Sequence, residues 1–177
     1  MTRTINRRSF GSSCAAAAVA NALPSSLSAK VQDISVSENK NTDAVRGLIK
    51  NFLNGHDPSA ARNYLTESFV FHAGSLGTIH GLDAYMKALA GFFRALPDVR
   101  ATEQDVVQSA DKVCARFVVE GTHKGERWRI PATGRLVRWD AIMIYRFEGE
   151  KIAEQWANED WTAILRDVGY FSPPFAK

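Results

Sequence analysis

The clearest alternation of apolar and polar positions lies in the segment Gly134–Asp160. Two alternating runs flank the short sequence Glu148-Gly149-Glu150, and this arrangement predicts a long β-hairpin. Side chains alternate along a strand, so pairing residues equidistant from the turn predicts one shared face. That face, which we expect to form the floor of a pocket, carries Trp139, Met143, Tyr145, Glu154, Trp156, Asn158 and Asp160. The other face carries Asp140, Ile142, Ile144, Arg146, Ala153, Gln155, Ala157 and Glu159. Periodicity alone does not decide which face is inward, because a single bulge would swap the two.

The elements before and after the hairpin predict an α+β fold. Apolar residues at helical spacing predict a helix from Thr42 to about Leu53 and a main packing helix from Leu82 to Ala95. A short helix over Pro58–Leu65 and a final one over Trp161–Val168 complete the helices. The predicted strands are Ser68–Ala73, Val99–Ser109, Lys112–His123 and those of the hairpin; Gly74–Gly81 and Lys124–Thr133 are predicted to be irregular. This order favours a strongly curved antiparallel sheet wrapped around about three helices.

The N-terminal segment predicts an exported protein. Arg7-Arg8 is followed by Phe10 and by an Ala-rich apolar run that is too short to anchor in a bilayer, and this pattern resembles a twin-arginine signal over residues 1–29. A disordered Ala/Ser-rich extension is the alternative interpretation. Residues 30–41 are polar and predict a disordered linker, which leaves one domain over residues 42–177. We therefore expect a periplasmic or secreted protein with no membrane contact after signal cleavage.

Charge and cysteine content narrow the choice of partners. The formal net charge is +3, but Arg3, Arg7 and Arg8 lie in a signal segment that contains no acidic residue. The remaining chain is electrically balanced, so it offers no electrostatic case for a nucleic-acid partner. Removal of the signal leaves Cys114 as the one cysteine, and no intrachain disulfide can form. His56 and His123 are isolated in sequence, and the chain shows no metal-ligand spacing, phosphate loop or nucleophilic triad motif.

An ordered set of motifs resembles the SnoaL-like polyketide cyclase (ester cyclase) family of the NTF2-like superfamily. The set covers roughly residues 42–169 and consists of Phe71-His72, His80–Ala84, Phe92–Val99, Glu120–Gly125, Ile130–Arg135 and Lys151–Trp156. The resemblance implies an NTF2-like cone that encloses an apolar cavity, often dimeric, with no metal or organic cofactor. It also implies closure of a ring by intramolecular aldol condensation, with an acidic residue on the sheet and a nearby histidine as the acid/base groups.

Candidate catalytic residues follow from this resemblance and from one departure. Asp140 follows Trp139 where such cyclases tend to have a histidine, so Asp140 would take the histidine's place, with Glu154 or Asp160 as the acid. If Glu154 lies among aromatic residues, its pKa should be raised. His72, at the end of a predicted strand, is a candidate pocket acid/base. Glu154 as a solvated edge residue, Asp160 as a helix cap and His72 as a core histidine are the alternatives.

The expected ligand is an apolar small molecule held by aromatic and apolar side chains. Candidate substrate-binding residues are Trp139, Met143, Tyr145, Trp156, Asn158, Tyr85 and Phe93, of which Trp139, Trp156, Tyr85 and Phe93 serve the core first. Two further classes remain open: a non-catalytic ligand-binding protein of the same fold, and a partner-binding domain that uses an apolar outer sheet face. A homodimer through the face bearing Ile142 and Ile144 is expected.

The export signal can be tested directly. Fusion of residues 1–30 to a folded reporter should carry the reporter across the membrane, because the paired arginines and the short apolar run form an export signal. Replacement of Arg7 and Arg8 together by Lys should stop this export, as measured by fractionation of cells. Export that survives the double replacement would contradict a twin-arginine signal.

Overall fold

A computed structural model describes residues 40–127, 129–172 and 174. The predicted signal and residues 30–39 of the predicted linker lie outside the described residues. Lys40 and Asn41, which the sequence places in the linker, already belong to the first helix. Within the described part of the chain, no helix is long and apolar enough to cross a membrane.

The fold is an α+β cone, as predicted, in which three main helices pack on one curved six-stranded sheet. The first helix, α1, covers residues 40–48 and continues as a π-helical turn over Ile49–Leu53. A 3-10 turn at Pro58–Asn63 leads to the sheet, and another lies at Gly74–Leu76. The remaining elements are β1 (Leu65–His72), β2 (Thr78–His80), α2 (Leu82–Ala95), β3 (Arg100–Ser109), β4 (Lys112–Thr122), β5 (Leu136–Glu148), β6 (Lys151–Glu159) and α3 (Trp161–Asp167).

The sheet has the order β2-β1-β6-β5-β4-β3, and all neighbouring pairs are antiparallel except β1 and β6. Three of the four predicted helices and the long strands are confirmed to within a few residues at their ends. The short helix predicted over Pro58–Leu65 is a 3-10 turn that ends at Asn63, and Leu65 is already the first residue of β1. The segment Gly74–Gly81, predicted to be a loop, contains the short strand β2, which pairs with β1. Three residues are too few to produce a recognisable period of two.

The core lies between the concave face of the sheet and the helices. Apolar side chains from α1, α2 and alternate positions of the strands are buried there, with Leu65, Phe69, Val113 and Tyr145 fully enclosed. Phe69 meets the Tyr85 ring edge-to-face at 5.0 Å between centroids. The α2 stripe predicted from sequence thus faces the sheet, because burial of its apolar side stabilises a helix of this length far more than its intrinsic propensity does.

A bulge in the hairpin corrects the predicted pairing of faces. Next to the turn, Phe147 lies opposite Ile152, as equidistant pairing predicts, but Arg146 then lies opposite Glu154. Ala153 is therefore an extra residue on β6, and every later residue of that strand is shifted by one. The predicted inward position of Trp139, Met143 and Tyr145 is confirmed, because all three are buried on the concave side. The predicted inward position of Glu154, Trp156 and Asn158 is wrong, and Gln155, Ala157 and Glu159 occupy the inner face instead.

Candidate functional site

A cavity opens between the concave face of the sheet and the three helices. About 830 Å³ of space between its walls is unoccupied by protein atoms, and part of this space is open to solvent at the mouth. Most of the wall is apolar and includes Leu48, Phe52, Phe71, Leu89, Phe92 and Ile164. The residues that bring polar atoms to the wall are Tyr85, Arg127, Trp139, Tyr145, Gln155 and Glu159. An apolar cleft with a few converging polar groups is the usual form of a small-molecule site.

Glu159 is the acidic group of this cavity. It is the last residue of β6, and its carboxylate Oε1 accepts a hydrogen bond of 3.2 Å from Trp139 Nε1. Burial raises the pKa of Glu159 above its ordinary value, while the Trp139 hydrogen bond and the positive charge of Arg127 act in the opposite direction. The environment therefore brings Glu159 closer to the range in which a carboxyl group both takes up and releases a proton at neutral pH.

Two hydroxyl groups and an amide line the same cavity as this carboxylate. The Tyr145 hydroxyl donates to Met143 Sδ at 3.1 Å, whereas the Tyr85 hydroxyl has no hydrogen-bond partner among the described residues. Burial, together with the charge of nearby Glu159, raises the pKa of Tyr85 well above the physiological range, so its proton stays in place. Gln155 Nε2 lies 3.2 Å from Met143 Sδ, and its buried Oε1 accepts no hydrogen bond from the residues that the structure describes. Tyr85 thus offers a donor and Gln155 an acceptor to a bound molecule.

The predicted catalytic residue Glu154 lies on the convex face, outside the cavity. Its carboxylate accepts from Arg146 Nε at 2.9 Å and contacts His72 Nε2 at 2.8 Å. The His72 ring in turn stacks on Trp156 with centroids 5.2 Å apart. The Arg146 hydrogen bond, followed by that of His72, lowers the pKa of Glu154. The predicted rise is therefore wrong, because the group is ion-paired rather than buried among aromatics.

The other predicted residues divide between the cavity and the rest of the molecule. Asp160 caps α3 by accepting from Ala163 N at 2.9 Å, as its alternative interpretation states. Asp140 is exposed on the convex face, and with Asp160 it borders a shallow polar recess outside the cavity. Phe93 is buried against Phe52 at 5.6 Å and does not line the cavity. The residues that do line it as predicted are Tyr85, Trp139, Met143 and Tyr145, whereas Asn158 and Trp156 lie on the convex side.

Three polar residues of the cavity were not predicted from the sequence. Gln155 and Glu159 were assigned to the opposite hairpin face, and a bulge at Ala153 leaves no signal in the apolar pattern because alanine fits either side. Arg127 lies in a segment without periodicity, where nothing predicts the direction of a side chain. Among the described residues, no group of three or more His, Cys, Asp or Glu side chains is placed to hold a metal ion.

The two glutamates of β6 should respond to pH with opposite sign. The pKa of Glu159 is raised in the folded state, so its contribution to stability is complete below the ordinary value of 4.5 and is lost as pH rises through the folded-state pKa. Glu159→Gln removes this loss, so the variant should gain stability relative to the wild type as pH increases. The pKa of Glu154 is lowered, so its contribution is present above 4.5 and is lost as pH falls.

Glu154→Gln should therefore be less stable than the wild type at neutral pH and should approach it in acid. Urea unfolding of both variants and the wild type from about pH 3 to pH 8 measures these differences. If the free energy of unfolding of both variants differed from that of the wild type with the same sign and the same pH dependence, Glu154 and Glu159 could not lie in the opposite environments described here.

Comparison with known proteins supports the fold described above. The SnoaL-like polyketide cyclase family model matches residues 43–168. IdmH from Streptomyces antibioticus, named as a candidate polyketide cyclase, is 28% identical with a TM-score of 0.65, over 73% of this chain and 98% of its own. No curated protein matches significantly.

Two further solved structures show the same fold at lower identity. A candidate SnoaL-like polyketide cyclase from Jannaschia sp. CCS1 is 19% identical with a TM-score of 0.71, over 77% of this chain and 95% of its own. AclR from Streptomyces galilaeus, named as a candidate hydroxylase, is 21% identical with a TM-score of 0.70, over 79% of this chain and 86% of its own. Since the family model spans well over half of the sequence, the chain belongs to the SnoaL-like polyketide cyclase family.

Proposed function

We propose that the cavity catalyses proton transfer at a carbon next to a carbonyl group of an apolar small molecule, leading to aldol-type ring closure. The observation that carries this proposal is a carboxyl group of raised pKa, Glu159, inside an apolar cavity that also holds the unbonded hydroxyl of Tyr85. Membership of the SnoaL-like family supports a cyclase-type activity. The chemistry needs a base, a donor for the developing oxyanion and walls that keep the chain folded.

Each step can be assigned to a residue of the chain. The ionised carboxylate of Glu159 takes the proton from the acidic carbon, and the electron pair of the C–H bond moves to the carbonyl oxygen. The Tyr85 hydroxyl donates a hydrogen bond to that oxygen as its charge develops. The enolate carbon then attacks a second carbonyl of the same molecule, and the new alkoxide recovers the proton from Glu159. No cofactor enters this sequence, and the carboxylate ends in its starting state.

Trp139 orients the Glu159 carboxylate, and the apolar walls exclude water from the cavity. The indole Nε1–H donates to Oε1 of Glu159, which leaves Oε2 to accept the substrate proton. Packing of Trp139 against Phe92, edge-to-face at 6.4 Å, fixes the indole in turn. Exclusion of water by the apolar wall strengthens the electrostatic terms and favours a folded, cyclisable conformation of the substrate.

Replacement of Glu159 tests the chemistry. Glu159→Gln keeps size and one acceptor but removes the base, so proton transfer should slow by about a hundredfold or more. Uptake of solvent deuterium at the acidic carbon of an aromatic β-keto ester, followed by NMR, measures this step without knowledge of the natural product. Tyr85→Phe should lower the rate by about a hundredfold, the scale of one lost oxyanion donor.

Glu154→Gln is the matched control, since it makes the same change on the same strand outside the cavity. It should leave the exchange rate within about twofold. Loss of exchange in Glu154→Gln with full activity in Glu159→Gln would contradict the assignment and restore the hypothesis that the sequence alone suggested. Binding of the ester without exchange in any form of the protein would favour a non-catalytic ligand-binding role.

We also propose that the convex face of the sheet joins two copies of the chain. A row of side chains crosses four strands there, with Val107, Cys114, Ile144 and Trp156 as cross-strand neighbours. Val107 is 67% exposed, and Ile142 and Ile144 are 44% and 38% exposed. An exposed apolar strip of this kind on a sheet is typical of a self-complementary interface.

Light scattering of the protein without its signal should give twice the chain mass at micromolar concentration. Ile144→Asp should shift it to the monomer, because two carboxylates would meet across a two-fold axis near the strip. Tyr170→Asp, at an exposed aromatic residue outside the sheet, is the control and should remain dimeric. A monomeric wild type would exclude this interface.

A further inference from the structure

Arg127 lines the cavity and lies close to the exposed Arg94, above a glycine of α2. A Cβ atom placed on Gly91 would lie 3.1 Å from Arg127 Nη1 and 3.6 Å from Arg94 Nη2. Arg127 also lines the cavity, with its guanidinium carbon 6.0 Å from the centre of the Phe92 ring. The absence of a side chain at Gly91 thus allows two like charges to lie over the same turn of the helix.

The backbone around Arg127 is fixed to the end of α2. The amides of Lys124 and Gly125 both donate to Ala95 O, at 2.8 and 3.2 Å. A Cβ on Gly125 would stand 2.6 Å from the Arg94 carbonyl oxygen, so this close approach requires glycine. Arg127 and Ile130 then exchange two backbone hydrogen bonds of 3.1 and 2.8 Å in a tight turn. The loop therefore presents Arg127 from a constrained backbone rather than from a flexible surface segment.

The charge balance at this point favours an anion. Burial lowers the pKa of Arg127, and the charge of Arg94 lowers it further, while Glu159 acts in the opposite direction. Glu159 itself resists ionisation because it is buried. Protonation of Glu159 removes one negative charge from the surroundings of Arg127, whose guanidinium group lines the cavity. A guanidinium is always protonated in proteins and binds carboxylates and sulfonates in a planar, two-pronged manner.

We propose that the ligand of this cavity carries a permanent acidic group, a carboxylate or a related anion, which binds Arg127 at the edge shared with Arg94. The apolar body of the ligand then lies along Phe92 and Trp139 and brings its reacting carbon to Glu159. This inference names the substrate class of the proposed site, and it rests on that cavity being a ligand site but not on the acid/base role of Glu159. It predicts aromatic acids, rather than neutral esters alone, as the preferred ligands.

Two pairs of matched probes test this inference. 1-Anilinonaphthalene-8-sulfonate and N-phenyl-1-naphthylamine share one aromatic skeleton and differ by an anionic group, and fluorescence titration gives a Kd for each. 2-Naphthoic acid and its methyl ester, measured by displacement of the neutral probe, give the same comparison for a carboxylate. The anionic member of each pair should bind the wild type about tenfold or more tightly than the neutral one, the scale of a charge-assisted hydrogen bond.

Three variants assign the preference to Arg127. Arg127→Met keeps an apolar stem of similar length and should remove about tenfold or more of the anion affinity, with less than about a twofold change for the neutral probe. Arg94→Met, at an exposed position, should cause a smaller loss in the same direction and serves if Arg127→Met does not fold. Arg116→Met is the control, because Arg116 is an exposed arginine on the convex face, and it should change neither affinity.

Each outcome separates this inference from the proposed function. Equal Kd values for the anionic and the neutral probe of each pair, in the wild type and in all variants, would overturn the anion preference. The cavity would remain a ligand site. A loss of anion binding in Arg116→Met, but not in Arg127→Met, would place the anion on the convex face and overturn the inference. Binding of neither probe would contradict both proposals. An anion preference that is kept or increased in Glu159→Gln, whatever its exchange rate, would support the inference independently of the chemistry.

Discussion

One extra residue on β6 determines the chemistry of this molecule. Ala153 has no partner on β5, so residues 154–159 face opposite to the direction that pairing from the turn predicts. Without this bulge Glu154, Trp156 and Asn158 would line the cavity and Glu159 would lie on the convex face. Because strand side chains alternate with a period of two, a shift by one residue exchanges a complete set of side chains between two environments. The cavity, the ion-paired cluster outside it and the apolar strip of the convex face all depend on this one irregularity.

The two environments give one residue type two opposite properties. Glu154 is surrounded by Arg146 and His72, which stabilise its charge and lower its pKa. Glu159, five residues later on the same strand, faces apolar walls that destabilise its charge and raise its pKa. The direction of a pKa shift is thus set by what surrounds the carboxylate and not by the strand that carries it. Raised proton affinity inside an apolar cavity is a functional signal, whereas an ion pair on a sheet surface is most simply structural.

The sequence predicts much of this fold and less of its site. Long amphipathic segments such as Leu82–Ala95 and the strands of the hairpin have enough repeats for their period to be recognised, and their bounds agree with the structure. The prediction that Trp139, Met143 and Tyr145 face inward is correct, because apolar and polar residues alternate along β5 without a bulge. Glu159 and Gln155 were missed because Ala153 is compatible with both faces, so no residue marks the bulge. Arg127 was missed because its direction comes from contacts between a loop and the end of a helix, which are tertiary and not periodic.

The position of these groups suggests how one fold serves different substrates. Glu159 and Trp139 lie on the central strands β6 and β5, where pairing of Glu159 with Ala141 and of Trp139 with Val119 limits movement. Arg127 lies instead on the segment between β4 and β5, outside the strand ladder, where contacts with the end of α2 set its position. In the proposed function, the acid/base group therefore belongs to the sheet, while the group proposed to bind the ligand's charge belongs to a connecting segment. A substitution at Arg127 that keeps the Lys124 and Gly125 contacts should therefore change which ligand is preferred without moving Glu159.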